Sequence, residues 1–201
     1  MPDSQPLTGQ AIDTLDRTRG DQYRFLARLL SSAPSTEMLR GIASLRGDET
    51  AYGVAISSLA RVAAGSAAAD LEREYFELFV GVGRGELLPY ASFYQTGFLN
   101  ERPLAEVRAD LSRLGVARAE ARFEPEDHVA LLLEVMADMA HGQIAAGEDI
   151  QAAFFSRHLA PWAGQFFDDL ATAPSAKFYR PVAEIGRQFI DIEARGFTLA
   201  A

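Results

Sequence analysis

The chain of 201 residues contains no cysteine, and this absence sets the first limits on its chemistry. Without thiols there is no disulfide, no thiolate nucleophile, no iron–sulfur ligation and no cysteine-based zinc site. Positive charge is also scarce, because 19 Lys and Arg stand against 28 Asp and Glu and give a formal net charge of −9. Nucleic-acid binding requires clustered positive charge, which the sequence lacks. The composition therefore excludes a polyanionic partner and favours a cationic one, such as a basic peptide.

Long apolar runs are missing as well. The longest extends from Val129 to Leu133, far short of the roughly 18 residues that a membrane-spanning helix needs. The first ten residues lack the basic region and the apolar stretch of a secretory signal. We therefore expect a protein that remains in the cytoplasm and is not integral to a membrane.

The sequence also lacks the alternation of apolar and polar residues that is typical of β-strands, whereas helical periodicity covers nearly the whole chain. Apolar residues from Val129 to Met139, for example, follow the i, i+3, i+4, i+7 spacing of a buried helix face. With 48% hydrophobic residues, we predict one all-α domain over residues 1–201, built from eight or nine helices. Gly20 is expected to weaken the middle of the first helix. The predicted helices cover about 13–30, 36–45, 50–64, 67–80, 103–115, 126–140, 154–159, a segment entered through Pro161, and 177–194.

Two connections differ from ordinary loops. The segment 81–100 has four glycines and many aromatic residues, so we expect an ordered loop that contributes surface to a groove. The second connection, a hinge at about 121–128, contains Pro125, which cannot continue a helix. It brings several acids and a histidine together just before the Val129 helix.

Three features that could suggest phosphate binding, metal binding or catalysis have simpler explanations. The glycine-rich run 81–85 follows a helix rather than a strand and lacks the Lys-Ser/Thr of a phosphate-binding loop, so a helix-ending turn is favoured. His128, His141 and His158 show no metal-ligand spacing. Asp127 and His128 form a candidate acid–base pair, but sequence neighbours do not face each other on a helix, and no nucleophile motif is present.

The sequence resembles the TorD/DmsD/NarJ family of cytoplasmic chaperones for molybdenum enzymes. Four groups of residues carry the resemblance, in matching order and spacing over about residues 20–195. They are Glu74-Tyr75-Phe76-Glu77-Leu78-Phe79-Val80-Gly81, then Leu88-Pro89-Tyr90-Ala91-Ser92-Phe93-Tyr94, then Glu124-Pro125-Glu126-Asp127-His128, and finally Phe155-x-x-His158-Leu159-x-Pro161-Trp162 with Phe178-Tyr179-Arg180.

The resemblance implies an all-α protein without enzymatic activity. It implies binding to the twin-arginine leader of a molybdopterin oxidoreductase catalytic subunit, which is retained until its cofactor is inserted. No cofactor of the chaperone's own is implied, although some members bind a guanine nucleotide or molybdopterin guanine dinucleotide. The leader-binding residues, carried over from the family together with the neighbouring hinge acids, are Tyr75, Leu78, Phe79, Pro89, Tyr90, Glu124, Glu126, Asp127 and His128.

The sequence departs from the family at two places. Tyrosines occupy positions 75 and 90, where members often have tryptophan. The Gly83-Arg84-Gly85-Glu86 form of the loop resembles relatives associated with formate dehydrogenases, which suggests a formate dehydrogenase client. The hinge also leaves two oligomeric states open, a monomer and a helix-swapped dimer.

The residues themselves suggest how a leader would bind. A basic leader with an apolar segment needs carboxylates beside an apolar groove. We hypothesise that the aromatic loop contacts the apolar segment while Glu124, Glu126 and Asp127 meet the arginines. Two alternatives remain: a helical adaptor that docks its client away from the leader, and a nucleotide hydrolase that uses Asp127 and His128.

Overall fold

A computed structural model describes residues 14–116 and 124–199, and within them the fold is all-α, as predicted. Those residues form ten α-helices and no β-strand. Positions 121–123 of the predicted hinge lie outside the described residues. The helices are α1 (Thr14–Ser31), α2 (Thr36–Ala43), α3 (Ala51–Ala64), α4 (Ala68–Tyr75) with a π-helical extension (Phe76–Val80), α5 (Ala91–Thr96), α6 (Arg102–Arg113), α7 (Val129–Ala140), α8 (Glu148–His158), α9 (Ala163–Thr172) and α10 (Tyr179–Leu199).

Two local predictions differ from the structure. The long loop 81–100 contains the helix α5, which is only six residues long and has no side-chain cap, so no periodicity could reveal it. Helix α7 begins at Val129 rather than near residue 126. A turn precedes it, in which the His128 N–H donates to the Pro125 carbonyl at 3.1 Å.

Gly20, which we expected to weaken the first helix, does not interrupt it. Gly20 is buried within a continuous α1, and a Cβ at this position would lie 2.6 Å from the His141 ring. Helices α1 and α7 pack against each other, and Arg24 of α1 bonds Asp138 of α7 at 2.6 Å. Glycine is used here because the two helices approach closely, which offsets its poor helix propensity.

The core is formed by the inner faces of most helices. Helix α10 packs on α9 and α3, and α2 packs on α3. Aromatic side chains from α8, α9 and α10, including Phe155, Phe167 and Tyr179, are fully buried. The aromatic cluster near the C-terminus is therefore core, the more frequent outcome for such residues.

No individual helix among the described residues combines the length and apolarity needed to cross a membrane. Ala51–Ala64 and Ala68–Val80 satisfy the criterion only as a pair, and they are bent by 117° relative to each other.

Candidate functional site

The aromatic loop and the acidic hinge meet in the folded chain. Tyr90 and His128 form an isolated antiparallel bridge. On either side of it, the Val129 N–H donates to the Pro89 carbonyl at 2.8 Å and the Ala91 N–H donates to the Asp127 carbonyl at 3.0 Å. Residues 36 and 40 positions apart are thus held together by backbone hydrogen bonds. This junction is the candidate site.

Asp127 lies at the centre of the junction and is completely buried. Its Oδ2 accepts a hydrogen bond from the backbone N–H of Ser92, in the first turn of α5, at 2.8 Å. Its Oδ1 and the Ser92 hydroxyl have no hydrogen-bond partner in the structure. A fully buried carboxylate is not accessible to a ligand, so we assign this side chain to holding the loop against the hinge.

His128 caps the helix that follows. Its Nδ1 accepts the Ala130 N–H at 3.1 Å, and its ring meets the Tyr90 ring edge-to-face at a centroid distance of 5.1 Å. Burial lowers the pKa of His128 to about 4, although the nearby carboxylates Glu124 and Asp127 oppose this shift. The imidazole is therefore neutral near pH 7, and Nδ1 is already occupied as an acceptor. This geometry does not favour the acid–base role that the hydrolase alternative requires.

The other two hinge acids differ in exposure. Glu126 is largely buried and accepts hydrogen bonds from the Arg108 guanidinium at 2.9 Å. Glu124 is exposed and accepts a hydrogen bond from the Tyr90 hydroxyl. Of the three, Glu124 presents its carboxylate to solvent beside an aromatic ring.

The apolar side of the site comes from the end of α4. Tyr75 and Phe79 are half-buried and stack on each other at 5.1 Å, and both contact the ring of Tyr179. Burial, aided by the charge of Glu124, raises the pKa of Tyr75 to about 12, so its phenol is neutral. The same Glu124 charge acts on Tyr90, which shows that both tyrosines and Glu124 share one region. Leu78, by contrast, is buried in the core, and Pro89 is also buried.

The glycine-rich run ends the helix, as the simpler interpretation predicted. Gly81 has a φ of 61°, and its N–H donates to the Phe76 carbonyl at 2.7 Å, which closes the π-helical turn. A Cβ on Gly81 would lie 2.1 Å from the Arg84 carbonyl oxygen. The Arg84 guanidinium lies over the Phe93 ring, 5.8 Å from its centroid. The Gly81 amide is therefore already bonded within the helix end, and the Arg84 cation lies over an aromatic ring.

One important residue of the site was quoted in the sequence motif but given no role. Glu74 is buried, and its Oε1 accepts the N–H groups of Lys177 and Tyr179 at 2.8 and 2.9 Å. It therefore ties the aromatic end of α4 to the start of α10. A glutamate inside an otherwise apolar face, followed by aromatics, was the signal that could have revealed this role.

His158, the histidine of the C-terminal motif, belongs to a separate cluster. It is buried and bonds Asp110 of α6 at 2.7 Å, next to Arg157. The described residues contain no group of three or more His, Cys, Asp or Glu side chains able to hold a metal ion. The chemistry of the junction is thus recognition: an exposed carboxylate beside neutral aromatic rings, on a backbone held by hydrogen bonds.

Comparison with known proteins agrees with the motifs. The family model described as "Nitrate reductase delta subunit" matches residues 46–168, which include α4, the junction and α7. The chain belongs to this family. The resemblance to TorD/DmsD/NarJ proteins is thereby confirmed.

Individual relatives give the same result. "Chaperone protein TorD" of Vibrio cholerae is 31% identical over 130 residues, which cover 60% of this chain and 59% of the relative. The TorD protein of Aliivibrio fischeri is 25% identical over 136 residues, 63% of each chain. The matched region thus spans less than two thirds of these relatives' own length.

A solved structure supports the fold over a longer region. It belongs to a protein described as a redox enzyme maturation protein, from Archaeoglobus fulgidus. The similarity covers 94% of this chain and 99% of the other, with a TM-score of 0.58 and 18% sequence identity. At this identity the match shows a shared helical fold.

Proposed function

We propose that this protein is a cytoplasmic chaperone without enzymatic activity that binds the twin-arginine leader of a molybdopterin-dependent oxidoreductase. It acts on the apo form of the catalytic subunit, before export and while the cofactor is inserted. The proposal needs no cofactor bound to the chaperone itself. A formate dehydrogenase is the client that the Gly83-Arg84-Gly85-Glu86 loop suggests.

One observation carries the proposal. The junction places the exposed carboxylate of Glu124 against the hydroxyl of Tyr90. The charge of Glu124 also reaches the half-buried Tyr75. A guanidinium group pairs with a carboxylate and also stacks on aromatic faces. An acid beside neutral aromatic rings therefore suits the arginines of a leader, and the net charge of −9 attracts such a peptide over a longer range.

The geometry narrows the roles of the hinge acids. Glu124 is the residue we assign to arginine binding. Glu126 already pairs with Arg108, and Asp127 is buried beneath the loop, so we assign both to holding the junction in shape. Leu78 and Pro89 similarly support the site from the core.

The test is a calorimetric titration with the leader peptide of a twin-arginine-exported molybdoenzyme from the same genome. Glu124→Gln removes the charge but keeps the size of the side chain, and we expect roughly tenfold weaker binding and a flatter salt dependence. Glu49→Gln is the matched control, since Glu49 is an exposed acid in the α2–α3 loop. Wild-type protein that fails to bind the leader would overturn the proposal.

The adaptor alternative is favoured by a different surface. A groove of about 1090 Å³ lies between α1, α8 and α10, and none of the junction residues lines it. Two exposed apolar residues, Leu15 and Ile192, line this groove. If leaderless client binds the chaperone as well as the full-length client in a pull-down, docking through a surface such as this one is the better description.

A further inference from the structure

The outer face of the π-helical segment carries two large apolar side chains that are about half exposed to solvent. Phe76 is 45% exposed and Val80 is 51% exposed, although both neighbour the stacked pair Tyr75 and Phe79. Residues four apart lie on the same side of a helix. Phe76 and Val80 therefore form a row that faces solvent beside the inner row of Tyr75 and Phe79.

The loop after this helix carries a third exposed apolar side chain. Val82 is 97% exposed at the tip of this loop. Two backbone hydrogen bonds join the base of the loop to the π-helical segment. The Glu86 N–H donates to the Glu77 carbonyl at 3.0 Å and the Leu87 N–H donates to the Leu78 carbonyl at 2.9 Å. The chain thus returns along the π-helical segment and presents Val82 on an ordered turn.

This exposure is concentrated in one part of the chain. Of the ten large apolar side chains that are exposed among the described residues, five lie between residues 76 and 99. Clustered apolar exposure marks an interaction surface, because leaving such side chains in water is unfavourable. We call Phe76, Val80 and Val82 the outer row.

Charge around the outer row identifies the chemistry of its partner. Glu77 is exposed on the same segment. Glu124 is also exposed, and its charge acts on Tyr75 at the start of that segment. Glu72, a further exposed acid, lies just before this segment, and the base Arg73 beside it is paired with Asp70. An apolar surface bordered by acids fits an apolar peptide segment that carries cations at one end.

We propose that the outer row, Phe76, Val80 and Val82, binds the apolar segment that follows the arginine pair of the leader. This inference rests on the proposed function and adds a second contact surface to it. The arginines bind at Glu124 by charge, and the apolar segment crosses the end of α4 and is buried against the outer row. Leader affinity then has two separable parts, of which one depends on salt and the other does not.

The test uses the double variant Phe76→Gln/Val80→Gln with a synthetic leader peptide that has two arginines followed by an apolar segment of roughly 7–15 residues. Glutamine keeps helix propensity and both positions face solvent, so folding is preserved. Loss of apolar burial should weaken binding at least about tenfold and make the heat-capacity change of binding less negative. A shorter peptide that has the arginines alone should bind wild type and variant equally.

Val54→Gln/Ile150→Gln is the matched control, because these residues have similar exposure, at 57% and 41%, on α3 and α8. We expect it to bind like wild type. If wild-type protein binds the leader and Glu124→Gln weakens it, while Phe76→Gln/Val80→Gln binds normally, the outer row is not the apolar site and the proposed function stands. If wild type binds no leader at all, both proposals fail together.

Discussion

The Asp127 carboxylate accepts the backbone N–H of Ser92 at 2.8 Å and is wholly buried beneath the loop that it holds. The backbone carbonyl of Asp127 also accepts the N–H of Ala91, the residue before Ser92. The conspicuous acid of the Asp-His pair thus positions the start of α5 and with it the ring of Tyr90. Its effect on a ligand is indirect.

This role separates two substitutions that remove the same charge. Asp127→Asn keeps a carbonyl oxygen that can accept the Ser92 N–H, so leader affinity should stay within about threefold of wild type. Asp127→Ala leaves that N–H without a partner, and we expect at least roughly tenfold weaker binding together with lower stability. Isothermal titration at two salt concentrations measures the leader affinity of each variant.

The salt dependence distinguishes positioning from direct contact. Asp127→Ala should keep the wild-type slope of affinity against salt, because Glu124 still meets the arginines, whereas Glu124→Gln should flatten it. Equal losses in Asp127→Asn and Asp127→Ala would mean that the charge itself binds the peptide, contrary to the role assigned here.

The sequence predicted which secondary-structure elements form, but it said less about the role of each polar residue. Helical periodicity located most helices because it depends on local spacing. The meeting of the Pro89-Tyr90 loop with the hinge agrees with the hypothesis that joined them. Which acid is exposed depends on a distant partner, Arg108 for Glu126, and no local pattern contains that information. The packing role of Gly20 could not be predicted for the same reason, because the His141 ring beside it lies far along the chain.

The buried histidine predicts a pH dependence of stability. The folded pKa of His128 is about 4, below the ordinary value of about 6.5. Between these values the unfolded chain takes up the proton more readily, so stability falls as pH decreases through this window. From about pH 7.5 to about pH 5 the loss attributable to this residue is roughly 2 kcal/mol.

Chemical denaturation at both pH values, with wild type and His128→Asn, measures this term. Asparagine can cap α7 in place of Nδ1 but does not titrate, so the variant should lose less stability on acidification. Some dependence should remain, because burial also lowers the pKa of His158. An identical pH dependence in both proteins would show that His128 is not the neutral, buried group described above.

Two glycines of α10 provide a matched test of packing. A Cβ at Gly186 would lie 2.2 Å from the Phe167 ring, whereas one at Gly196 meets no atom within 4 Å. Gly186→Ala should therefore lower the free energy of unfolding by about 1–3 kcal/mol through overpacking. Gly196→Ala should be neutral or stabilising by up to about 1 kcal/mol. Thermal unfolding of the two variants decides this, and a Gly186→Ala protein as stable as wild type would contradict the close contact between α9 and α10.

Glu74 joins two motifs that lie about a hundred residues apart, since its carboxylate accepts the N–H groups of Lys177 and Tyr179. Glu74→Ala leaves both without that partner at the start of α10 and should cost roughly 2 kcal/mol or more of stability. Glu74→Gln keeps an acceptor oxygen and should cost less. If both variants lose equal stability by denaturant titration, the negative charge at the helix N-terminus is the main contribution, rather than the acceptor oxygen. Because Tyr179 supports the rings of Tyr75 and Phe79, the alanine variant should also bind the leader more weakly, whereas the glutamine variant should bind it nearly as wild type does.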